Sequence, residues 1–145
     1  MAIQYSVSIR NARLDVVEST IGASAILRVF DGAIPANCAA ASVGTVVLTM
    51  NLPADWMAAA SAGSKALLGT WQDASADATG NGKYFRIFDS TGTTCHVQGT
   101  CSITAGSGDL KFNAPDAGGA NAGFPAFVAA QSVTITGFTL NEQNA

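Results

Sequence analysis

The decapeptide GTTCHVQGTC, Gly92 to Cys101, holds two of the three cysteines and the only histidine of the chain. Read as chemistry, it is a metal site or a thiol beside a base. Read as fold, it is a central strand of a β domain, and the geometry favours the strand. Side chains along a strand alternate between faces. Residues 94–103 as a strand would place Cys95, Val97, Gly99 and Cys101 on one face and His96, Gln98 and Thr100 on the other. At about 3.3 Å per residue the two cysteines then stand roughly 20 Å apart, far beyond the ~7 Å between Cα atoms that a disulfide can span. His96 points away from both sulfurs. A zinc site wants four ligands, usually with closely spaced cysteine pairs, whereas the spacing here is C-x5-C with no second histidine. Only a reversal at Gly99 would return Cys101 to Cys95. The stretch is therefore expected as buried strand, its cysteines packing as small hydrophobes. Cys38, in a loop, is the thiol expected to be most exposed. Its pairing with Cys95 or Cys101, within the chain or with a neighbour, stays open given the odd cysteine count.

The same grammar extends outward from this strand. DSTGT (89–93) reads as the turn before it, and KYFRIF (83–88) as the strand before that turn. Asn81-Gly82 suits a tight hairpin, because both positions tolerate positive φ. Gly106–Gly108, GSG, reads as a hairpin turn into LKF (110–112). SAILRVF (24–30), TVVLTMNL (45–52) and QSVTITGFTL (131–140) are strand-like, and IPANCAAASVG (34–44) is a loop. ADWMAAASAGS (54–64) is alanine-rich, with Asp55 placed to cap a helical turn or two. About seven or eight short antiparallel strands at 8–15-residue spacing predict a mainly β sandwich or jelly-roll.

One helix stands apart, over residues 7–21. Ser6 or Ser8 caps its start and Gly22 ends it. Its apolar side is read as Ile9, Ala12, Val16 and Val17, interrupted by Arg10 and Arg13, with Asn11, Asp15 and Glu18 opposite. The helix is expected to pack on an end or edge of the sandwich or to reach a neighbouring subunit. The whole is expected as one domain over 1–145: helix about 7–21, sandwich about 24–140, polar tail 141–145.

Composition narrows the function. Of 145 residues 48% are hydrophobic but only 12% charged, against roughly 25% charged in ordinary soluble domains. Mean hydropathy is +0.28, yet no run approaches the ~18 apolar residues of a membrane helix. A lone soluble domain keeps a mixed charged surface; a chain short of charge is expected to lie against other subunits. The seven Lys and Arg residues are scattered and the net charge is −3, which argues against nucleic acid and anionic membrane as partners. MAIQYSVSIR lacks the basic and apolar regions of a signal peptide, so synthesis in the cytoplasm is expected.

Other chemistry is thin. Asp73, Asp77, Asp89, Asp109 and Asp116 fall at turns without the spacing of a calcium loop. No phosphate loop, nucleophile elbow or dinucleotide fingerprint occurs. Trp56, Trp71, Tyr84 and Phe124 would stack on sugars if exposed, and otherwise belong to core or interface. No catalytic, cofactor-binding or metal residue is assigned, no cofactor is expected, and the chain is not read as an enzyme.

RNARLD with Glu18 (10–18), LPADWMAAASAGSKA (52–66), GTWQDASADATG (69–80), FRIFDSTGTTCHVQG (85–99) and QSVTITGFTL resemble a family of small proteins of tailed-phage and prophage genomes. The likeness spans most of the chain and is weaker over SGDLKFNAPDAGGANAGFPAF (107–127). The resemblance implies a virion structural component, with no active-site residues to transfer. The expectation it supports is a capsid decoration, or cement, protein, made in the host bacterial cytoplasm and seated on the capsid surface. Its expected partners are the major capsid protein and itself, as a homo-oligomer with a trimer favoured. The helix and segment 113–130 are the expected contacts between subunits. The alternatives are a tail, neck or head-fibre component, or a virion module binding host-surface glycans.

Overall fold

Ser6 opens the first element: its Oγ accepts the Ile9 N–H and caps α1, Val7–Ile21. Gly22, at φ 85°, ends the helix, as only a residue without Cβ does comfortably. The computed structural model describes residues 3–142, and beyond α1 the chain is mainly β. Its strands are β1 (Ile26–Phe30), β2 (Val46–Asn51), β3 (Ser64–Ala66), β4 (Gln72–Asp73), β5 (Gly80–Asn81), β6 (Tyr84–Phe88), β7 (Cys95–Ile103), β8 (Leu110–Phe112), β9 (Ala126–Phe127) and β10 (Val133–Asn141). Eight of them form one mixed sheet in the order β2-β1-β6-β7-β8-β10-β3, with β4 also paired to β10; β5 and β9 pair separately. The opening decapeptide thus supplies most of β7, a central strand.

The sheet curls over its own core in a sandwich-like arrangement. Phe85 on β6 meets Phe138 on β10 edge to face, ring centroids 5.7 Å apart. Two strands, β7 and β8, separate them along the sheet, and a flat sheet would hold their backbones roughly 14 Å apart. Trp71 joins this cluster, 5.4 Å from Phe138 and 5.8 Å from Trp56. Its Nε1 donates to the carbonyls of Trp56 and Leu68, so the buried indole leaves no polar atom unpaired. Leu27, Val29, Leu48, Met50, Ile87, Cys101, Leu110 and Phe112 complete the centre of the core.

Four local expectations are corrected. Segment 54–62 forms no helix. Met57 and Ser61 instead make single bridges to Leu67 and Ser64, and Ala62 (φ 54°) with Gly63 (φ 79°) makes a two-residue reversal, as the tight hairpin turn demands. Asn81-Gly82 makes no hairpin: β5 pairs with the distant β9, Gly80 opposite Phe127 and Asn81 opposite Ala126. Gly82 is needed there for close approach, since a Cβ would lie 2.7 Å from the Phe127 ring. β10 runs through Asn141, and Glu142 pairs with Arg13, so the expected tail begins inside structure; residues 143–145 lie outside the described residues.

The fourth correction concerns Gly106–Gly108. β7 and β8 run parallel, Cys101 opposite Leu110 and Ile103 opposite Phe112. Parallel neighbours ordinarily need a crossover of about a dozen residues or more. Here residues 104–109 suffice, because the chain folds back tightly against β7. The Gly108 N–H donates to Ser102 Oγ, and Asp109 Oδ2 accepts from the Thr100 N–H and hydroxyl. A Cβ on Gly108 would stand 2.6 Å from the Cys101 carbonyl carbon. Gly108→Ala is therefore expected to lower unfolding free energy by about 1–3 kcal/mol, measured by urea denaturation; an unchanged midpoint would show that the crossing has slack.

Candidate functional site

The helix buries Leu14 and Ile21, and polar side chains beside them bond to the neighbouring backbone and to Lys65. Asn11 Oδ1 accepts the Gly63 N–H at 2.8 Å, and Asp15 Oδ1 accepts the Ala60 N–H at 3.2 Å. Glu18 Oε1 accepts the N–H groups of both Trp56 and Met57, at 3.1 and 3.0 Å. Arg10 Nη1 donates to the Glu142 carbonyl at 3.1 Å. Lys65, 3% exposed, reaches from β3 to Asp15 at 2.8 Å and Glu18 at 2.9 Å. These contacts also explain why 54–62 is not helical: the amides of Trp56, Met57 and Ala60 are taken by helix side chains and those of Ala58 and Ser61 by the carbonyls of Ala66 and Ser64. Burial works against the Lys65 charge, but the two carboxylates outweigh it and raise the ammonium above its ordinary 10.5. The Lys65 hydrogen bond, with the Ala60 N–H, lowers Asp15 below 3.8.

Ile9, Ala12 and Val16 share a face, as the wheel predicts, and it points to solvent, with Ile9 47% and Val16 58% exposed. Only Val17 of the expected set packs on the core, beside the buried Leu14 and Ile21. Ile3 and Val7, near the start of the described chain, are also exposed. At the other end of the helix, Val16, Val17, Thr20 and Ile21 meet His96 and Val97 around a shallow cleft of about 250 Å³. A signal for these contacts was present: Asn11, Asp15 and Glu18 fall at i, i+4, i+7, a polar stripe as regular as the apolar one.

The loop 34–44 covers the face of the sheet opposite the core. Arg86, on β6, is 2% exposed and donates to the carbonyls of Asn37 and Ala40, to Ser42 Oγ and to Gln98 Oε1. Gln98 in turn donates to the Pro35 carbonyl at 2.7 Å, and the Tyr84 hydroxyl both accepts from and donates to the Val43 backbone. Among the described residues no carboxylate forms an ion pair with Arg86; its charge is spent on carbonyl oxygens.

The strand faces of GTTCHVQGTC divide otherwise than alternation predicts. Ile87 stands opposite Val97 but Phe88 opposite Cys95, so His96 is an extra residue in a β-bulge. Cys101 stays in the core, whereas the bulge carries Cys95 over to the Arg86 side, where its Sγ donates to the Val97 carbonyl at 3.5 Å and Cys38 lies close enough to influence its charge. All three thiols are free.

The remaining candidates resolve into structure. Trp56 and Trp71 are wholly buried and Tyr84 is 1% exposed, so these three rings offer no sugar platform; Phe124 is half-buried. Asp73, Asp89, Asp109 and Asp116 each hold nearby turn donors. Asp89 is held down to about 2, chiefly by the Thr91 hydroxyl and then by Thr93 and Thr94. Among the described residues no three His, Cys, Asp or Glu side chains are grouped to hold a metal ion, and no helix is long and apolar enough to cross a membrane. Segment 113–130 contains the β9 pairing, a short 3-10 turn at Gly119–Asn121 and an exposed Val128. No family model, curated protein or solved structure matches the chain.

Glu18→Ala removes acceptors from Lys65, Trp56 and Met57 together. The expected cost is roughly 2 kcal/mol in urea denaturation, with faster amide exchange at Trp56 and Met57. The pH dependence follows from the shifts. Asp15, lowered on folding, contributes docking that is present above pH 3.8 and lost as pH falls through its folded value. Lys65, raised on folding, contributes docking that is present below pH 10.5 and lost as pH rises through its folded value. Tryptophan fluorescence should report a docked helix between about pH 4 and pH 10 and change outside that window.

Proposed function

We propose that this chain is a bacteriophage virion structural protein, a capsid decoration protein that stabilises the head shell by binding the major capsid protein lattice as a small homo-oligomer, a trimer. The observation that carries the contact is the helix: Leu14, Val17 and Ile21 pack inward and Asn11, Asp15 and Glu18 bond to the subunit, so Ile9, Ala12 and Val16 are left facing out. Contiguous exposed apolar surface of this kind is the ordinary mark of a protein interface. The charge deficit supports the same reading. Only 12% of residues are charged, and two of the seven cations, Lys65 and Arg86, are themselves buried. The virion context comes from the resemblance of RNARLD, LPADWMAAASAGSKA and the β7 region to tailed-phage proteins. In this role the protein does no chemistry. It buries apolar area between capsomers, and each square ångström removed from water contributes roughly 25 cal/mol toward holding the shell against internal pressure.

The test is the virion itself. Cryo-electron microscopy of the encoding phage should place the chain on the outer capsid surface at a symmetric lattice position; density confined to the tail or neck overturns the decoration role. In solution, Val16→Asp and Ile9→Asp should abolish sedimentation as an oligomer and binding to purified shells. Both should leave unfolding free energy within about 0.5 kcal/mol of the parent, as solvent-facing substitutions do. A parent protein that sediments as a monomer and ignores shells would sink the proposal.

A further inference from the structure

We propose that Cys38 and Cys95 form an oxidation site: an intrachain disulfide that staples the 34–44 loop to the central strand β7. Three independent features bring the two sulfurs together. The bulge at His96 moves Cys95 out of the core register and onto the Arg86 face. The loop is pressed onto that same face by Arg86, which takes the Asn37 and Ala40 carbonyls at 2.9 and 2.8 Å, and by Gln98, which takes the Pro35 carbonyl. Asn37 then fixes the turn that carries Cys38, its Oδ1 accepting the N–H groups of Ala39 and Ala40 at 3.0 Å each. Cys38 therefore sits between two anchored residues, held over the sheet face onto which the bulge turns Cys95.

Both thiols are half-buried, open to a small oxidant, whereas Cys101 is sealed in the core. Burial, then the neighbouring Cys38, push the Cys95 thiol up to about 12 against the pull of Arg86. Exchange reaches the same product from either thiol; on the loop-side route it begins at Cys38. With a small disulfide such as oxidised glutathione as oxidant, the Cys38 thiolate attacks one glutathione sulfur and expels the first glutathione thiolate. Cys95 Sγ then attacks the Cys38 sulfur of the mixed disulfide and expels the second. The two protein thiols lose two electrons and two protons, and one glutathione disulfide becomes two glutathione thiols. The inference stands on loop and strand geometry alone and is independent of the virion proposal.

The parent protein, folded and treated with oxidised glutathione, is denatured under acid quench, digested with trypsin and read by tandem mass spectrometry without reduction. The expected product joins peptide 29–65 to peptide 87–111, lighter by two hydrogens, with fragments assigning the link to Cys95. Protein thiols titrated in denaturant should fall from three to one. The oxidised monomer should melt roughly 5–10 °C higher than the reduced one, reversibly on adding dithiothreitol. Three free thiols after exhaustive treatment would overturn the proposal. So would a link from Cys38 to Cys101, a link found only between chains, or a mixed glutathione disulfide that never resolves. Cys38→Ser and Cys95→Ser should each abolish the intrachain link while melting with the reduced parent; a link that persists in either overturns the assignment.

Discussion

A buried ammonium sets the architecture of this subunit. Lys65 comes from β3, at one end of the sheet, and is closed over by Asp15 and Glu18 of the helix. Leaving such a charge unpaired in the interior is costly, so β3 and α1 are tied to one geometry. Glu18 and Asp15 also satisfy backbone donors of 56–60, a stretch with little strand pairing of its own. The helix is held by polar complementarity rather than by a broad apolar seam, since only Leu14, Val17 and Ile21 reach the core. Everything apolar on its other side is left for something outside the subunit.

The opposite sheet face repeats this logic with one cation. Arg86 has no carboxylate partner among the described residues, and its guanidinium instead organises the carbonyls of a loop rich in alanine. A guanidinium suits that task because its planar fork offers several donors in fixed directions. Loop 34–44 has no strand or helix of its own, so its shape is imposed by what it covers. Tyr84 and Gln98 supply the remaining bonds, and all three side chains come from adjacent positions on β6 and β7.

What sequence reading captured was local and periodic. Ser6 and Gly22 marked the helix, and the turn from Asp89 through Gly92 announced β7. The β class followed from short runs between turn residues. What it missed was decided by distant partners. Asn81-Gly82 has hairpin chemistry, but the approach of Phe127 overrides it, and the hairpin reversal falls instead at Ala62-Gly63. The glycines at 106 and 108 announced a reversal but not that it would close a parallel pair. One inserted residue, His96, sends Cys95 across the sheet, which alternation cannot anticipate without the register of Phe88. The helix was located but its inward face was not, because apolar periodicity identifies a stripe without saying whether the stripe meets the core or the outside. The candidate interaction face was thus legible as residues but not as a surface.

The helix contacts also impose an order in time. β7 and β8 meet through residues about nine apart, so that pairing closes cheaply. Docking of α1 joins Asp15 to Lys65 and Arg10 to Glu142, partners 50 and 132 residues apart in the chain. Contacts of such long range await closure of large loops and depend on β10 being in place. The outward stripe of Ile9, Ala12 and Val16 therefore acquires its final direction only when the sheet is complete. A nascent or half-folded chain lacks that directed surface, so the proposed assembly through it would be confined to subunits that have finished folding.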